Sequence, residues 1–140
     1  MTKRAAAVLL RLAIIIVGFV AACLVAAGAM WGGALLRTLL AGLPVRLDPA
    51  VGRDMFALVF IYTLVPAIVL VALAEWEGWR RWSAYTVAGA LMPMPAAVPI
   101  LINTRMPEGA LVFAAQLPIA GALGGLAYWL VAGCRRATKA

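Results

Sequence analysis

The stretch LAIIIVGFVAACLVAAGAMWGGALL, Leu12 to Leu36, contains no charged residue. It exceeds the roughly 20 residues that an α-helix needs to cross about 30 Å of hydrocarbon. It lacks the polar stripe of a soluble amphipathic helix, and it is too long and too evenly apolar for a barrel strand. Its natural solvent is lipid, and within it Gly28 and Gly32 stand four apart on one helix face, where a second backbone can come close.

The rest of the chain repeats the pattern. Of 140 residues, 66% are hydrophobic and 12% charged, with a mean hydropathy of +1.05, more apolar surface than a soluble domain of this length can bury. The charged residues cluster so as to leave uncharged intervals at 12–36, 55–74, 82–104 and 109–134. Each is of spanning length, which predicts an all-α fold: a four-helix transmembrane bundle built as two antiparallel hairpins, the whole chain forming a single membrane domain.

Orientation follows from the short flanks. One side carries Lys3, Arg4, Arg11, Arg80, Arg81, Arg135, Arg136 and Lys139, against Arg37, Arg46, Arg53 and Arg105 on the other. The excess predicts both termini in the cytoplasm, and the net charge of +7 then reads as topology and attraction to anionic lipid rather than as nucleic-acid binding. Val20 to Cys23 has the form of a lipoprotein cleavage box, but the apolar run continues to Leu36, so an uncleaved first helix is expected. Cys23 and Cys134 fall in different spans, which gives no support to a disulfide or a redox pair.

The connections carry their own signals. Asp48 followed by Pro49 predicts a helix start, because the carboxylate can accept from free N–H groups and proline at the first helical position loses no needed donor. The short inner turn AEWEGWRRW, Ala74 to Trp82, predicts an antiparallel pairing of the second and third helices, with Trp76, Trp79 and Trp82 in an interfacial aromatic row. Glu75, Glu77, Arg80 and Arg81 in that turn are a candidate cytoplasmic interaction surface, for a protein partner or for lipid headgroups. Gly121 and Gly125 repeat in the fourth span the close-packing spacing of Gly28 and Gly32.

The third span contains LMPMPAAVPI, Leu91 to Ile100. Pro93, Pro95 and Pro99 remove donors and free the carbonyls of Gly89, Leu91 and Pro95, which in lipid must be satisfied by protein or water, so a kink is expected there. Pro66 and Pro118 lie near the middle of the second and fourth spans, and interrupted helices at similar depth are where transporters hold ligands. Tyr62, Pro66, Pro93, Pro95, Pro99, Gln116 and Pro118 are therefore the candidate ligand or bend residues, with Thr63 and Asn103 as further polar neighbours.

Several chemistries lack the residues they need. Every Asp and Glu lies at a span end and there is no histidine, so a buried proton relay, a histidine-ligated metal or haem, and the commonest general base are not expected. No nucleophile stands beside a plausible base, and no cofactor is expected; Met92 and Met94 form a soft M-x-M pair, which also suits an apolar filler.

Two segments, Ala72–Leu91 and Ala120–Arg136, resemble small four-span inner-membrane proteins of alphaproteobacteria, a group without an assigned activity. Gly124, Gly125, Tyr128, Trp129 and Arg135 carry the likeness, and the proline cluster of the third span departs from it. The resemblance implies a bacterial inner-membrane address and supplies no catalytic residue. The expected function is a non-enzymatic multi-pass protein, an accessory or scaffold subunit that meets the lipid bilayer and a protein partner or a second copy of itself. The alternative is a small oligomeric transporter or channel for a neutral or lipophilic solute, using the proline-bent helices.

Overall fold

A computed structural model describes residues 3–44, 48–78, 81–102 and 108–133. Helix α1 covers Lys3–Leu40, and at about 1.5 Å per residue it is roughly 57 Å long, well beyond a bilayer core. It ends where Gly42 takes a positive φ of 67° and the amide of Leu43 donates to the Thr38 carbonyl at 3.1 Å. Helix α2, Pro49–Glu77, starts as the sequence predicts: Asp48 Oδ1 accepts from the Ala50 amide at 2.8 Å, and Pro49 occupies the first turn. Gly78 closes α2 in the left-handed conformation, its amide donating to the Ala74 carbonyl.

The interval 82–104 is not one helix. It divides into α3, Trp82–Leu91, and α4, Met94–Ile102, with the break at Met92 and Pro93. Three prolines within seven residues strip donors from consecutive turns, so the ladder cannot continue through them. By contrast α2 passes through Pro66, and α5, Glu108–Tyr128, passes through Pro118. A lone proline in a long helix is held by intact turns on both sides, so of the three proline sites only the cluster in the third span breaks its helix. A π-helical turn, Trp129–Gly133, continues α5.

Three helical stretches are long and apolar enough to cross a membrane: Ala5–Leu40, Pro49–Ala74 and Leu111–Gly133. Their burial is that of a membrane protein. The buried positions are mostly small, with Ala97 and Ala114 fully covered, and large residues such as Val8, Ile61 and Ile119 face outward. No polar or charged residue is buried among the described residues. Small residues at helix contacts and large ones toward the tails are what packing in lipid favours.

The helices pack in the spatial order α2, α1, α5, α3, with α4 also on α5. Helices α1 and α5 run antiparallel: Gly18 lies against Tyr128 and Ala132, and Gly124 against the Ala22 carbonyl. Helices α3 and α5 cross through glycine. A Cβ at Gly121 would run into the Gly89 carbonyl oxygen, and one at Gly125 into that of Tyr85. The expected pairing of α2 with α3 through their short turn is slight: α2 packs mainly on α1 and α3 on α5, with Ala74 and Tyr85 in one shared cluster.

Candidate functional site

Residues of α1, α2, α3 and α5 enclose a cavity of about 560 Å³. Helix α1 contributes Phe19, Cys23 and Met30 to its wall, α2 contributes Tyr62, Thr63 and Pro66, and α5 contributes Phe113, Leu117 and Gly121. From the broken third span come Gly89, Met92, Pro93 and Pro95. The break is therefore part of the cavity wall. At the end nearest the Gly78 turn a cluster of Ala74, Tyr85, Tyr128 and Ala132 borders the space, the two tyrosine rings standing 5.7 Å apart.

The wall is nearly free of hydrogen-bonding capacity. Thr63 Oγ1 donates to the Val59 carbonyl at 2.6 Å and lies 3.7 Å from Cys23 Sγ, so the hydroxyl is already engaged. Tyr62 is 72% exposed and stands at the rim on α2. No charged side chain lines the space among the described residues, and they contain no group of three His, Cys, Asp or Glu that could hold a metal ion. Such a wall binds by contact and exclusion of water or lipid tails, with shape as its main selector.

The structure brings Tyr62, Pro66, Pro93 and Pro95 to this cavity and leaves Gln116 and Pro118 out of its wall. Gln116 turns to the seam between α1 and α5, where Arg37 Nη2 donates to its Oε1 at 3.1 Å. The absence of a side chain at Gly33 makes room for this pair, since a Cβ there would stand 2.7 Å from Gln116 Nε2. Pro99 falls within α4 and Glu75 within α2, and their side chains lie outside the described residues, as do Arg80 and Asn103 entirely. Glu77 is the last residue of α2, and Arg81 precedes α3 without donating a cap.

Gly121 and Gly125 lie in the crossing with α3. Gly28 and Gly32 do not pack within the chain: both are exposed, and a Cβ at either would meet nothing within 4 Å. The close approaches of α1 are made instead by Gly18 and Gly33. Sequence reasoning also passed over Arg37, whose role shows only when α1 and α5 are set side by side. Comparison of the chain with protein-family models, with curated proteins and with solved structures yields no match.

Proposed function

We propose that this is a non-enzymatic, multi-pass protein of a bacterial inner membrane that holds a lipophilic molecule in the cavity between α2 and α3, as part of carrying or presenting it. In this reading the broken α3–α4 unit serves as a fourth span, completing a bundle with both termini on the cytoplasmic side. The excess of Lys and Arg on that side supports the orientation.

The observation that carries the reading is the cavity itself: about 560 Å³, apolar, and lined by both α2 and α3. A transmembrane helix, as a cylinder about 10 Å across and about 30 Å long, fills on the order of 2,000 Å³, so a partner's helix is too large for it. A single flexible chain fits, and the volume is within the usual range for small-molecule pockets. Ground-state binding of this kind asks for no acid, base or nucleophile, in keeping with a wall that pairs none of them.

The test is lipid retention. Purified protein released gently from the membrane is expected to carry a tightly held apolar molecule visible by native mass spectrometry. Ala67→Phe, at a buried position that also lines the cavity, is expected to remove it. Equal retention by both proteins overturns the reading. A role as an accessory subunit keeps one observation in its favour, the unpacked face around Gly28 and Gly32 on α1. It predicts stable co-purification with another protein, lost in Gly28→Leu.

A further inference from the structure

We infer that the cavity takes an anionic amphipath, with Arg37 holding its phosphate or other oxyanion and the apolar chain lying below. This inference rests on the cavity binding an apolar chain, and it adds a headgroup preference that the cavity wall alone cannot provide.

In a helix the Cα–Cβ bond leans toward the N-terminus, so Arg37, near the C-terminal end of α1, leans back along the helix. Its Nε donates to the Gly33 carbonyl at 3.2 Å, which fixes the guanidinium at the level of Gly33 and Gln116. The expected behaviour of a terminal arginine is to extend away from the hydrocarbon. Here it folds back along α1 into the seam with α5 instead. Met30, Gly33 and Arg37 follow the i, i+3, i+7 spacing of one stripe, and Met30 lines the cavity. On the facing helix, Phe113 and Leu117 also line it and flank Gln116 in the sequence. The guanidinium thus lies about one helical turn beyond the outer wall of the cavity.

Its bonding is incomplete. A guanidinium has five N–H donors in a rigid fork, and the two bonds described leave capacity for more. Among the residues whose side chains are described, the two aspartates are engaged elsewhere: Asp48 accepts from its own helix start, and Asp54 pairs with Arg53 at 3.1 Å. A half-buried arginine whose described partners are a carbonyl and an amide is suited to an oxyanion, which can take two parallel N–H groups at once. Gln116 holds one arm of the fork through its Oε1.

The experiment compares retention of phosphatidylglycerol and phosphatidylcholine by the purified full chain after exposure to vesicles of each lipid. Wild type is expected to favour phosphatidylglycerol about ten-fold, the scale of one charge-assisted interaction. Arg37→Gln should bind both lipids equally, at the level wild type shows for phosphatidylcholine, which demonstrates an intact cavity. Arg53→Gln removes the same charge from an exposed pair and should keep the preference.

Loss of preference in Arg53→Gln to the same extent as in Arg37→Gln, or its survival in Arg37→Gln, overturns the inference. No preference in wild type also overturns it while leaving the cavity reading standing. Failure of either lipid to bind, or binding that Ala67→Phe does not reduce, overturns the cavity reading itself. Inorganic phosphate at the lipid's own concentration, with ionic strength held by chloride, should compete weakly, because the seated chain raises the headgroup's local concentration. Competition equal to the lipid's would mean that the chain plays no part, and would overturn the amphipath.

Discussion

Gly89 is a residue at which two requirements meet. Pro93, four positions later, has no N–H to give it, so the Gly89 carbonyl loses its helical partner, and in lipid that loss is costly. The same carbonyl oxygen faces Gly121, at a distance no side chain could share. Backbone contact through a Cα–H group is a weak interaction, but it keeps the freed oxygen against protein. Gly121→Ala is therefore expected to force α3 off α5, at a cost of about 1–3 kcal/mol, read as a melting temperature several degrees lower in detergent. Gly28→Ala, with open space around it, is expected to stay within about 0.5 kcal/mol of wild type. Equal effects of the two substitutions would contradict this account of the crossing. Gly78 is held for a different reason, its φ of 65°, and Gly78→Ala should cost about 1 kcal/mol in the same assay.

Among the elements, α2 is the least secured. It packs mainly on α1, whereas α5 is flanked by α1, α3 and α4. Local opening follows contact density, so amide exchange in lipid nanodiscs should be faster along the middle of α2 than along α5. Uniform protection across the two would show that α2 is held by more than α1. These elements were legible in the sequence to unequal degrees. The uncharged intervals gave the long helices, Asp48–Pro49 gave the start of α2, and the three prolines gave the break, because each depends on chemistry local to the chain. Neighbour relations were not legible. The turn at Gly78 brings α2 and α3 together in sequence, yet which helix each prefers is decided by glycines tens of residues away, at 121 and 125. The same holds for Gln116: its depth could be counted along α5, but its partner Arg37 is set by the register of α1 against α5. The π-helical turn at Trp129–Gly133 has no local signal at all.

For the whole molecule, the asymmetry of positive charge makes a prediction about topology. In a background where Cys134 is replaced by serine, a cysteine introduced as Ala41→Cys should react with a membrane-impermeant maleimide in intact cells. One introduced as Ser83→Cys should react only after the cells are opened. The reverse pattern would invert the proposed orientation, with no effect on the packing. The length of α1 then has a consequence for the bilayer around it. The apolar stretch from Leu12 to Leu36 is roughly 37 Å long at helical rise, against about 30 Å of hydrocarbon, a mismatch that a leaning angle of roughly 35° would absorb. Thicker membranes let the helix stand more upright. Since α1 is what α2 leans on, the same change in posture is expected to alter the angle at which α2 meets the rest of the chain. On the proposed reading, lipid retention should then differ between vesicles of short and long acyl chains, and equal retention in both would uncouple the cavity from membrane thickness.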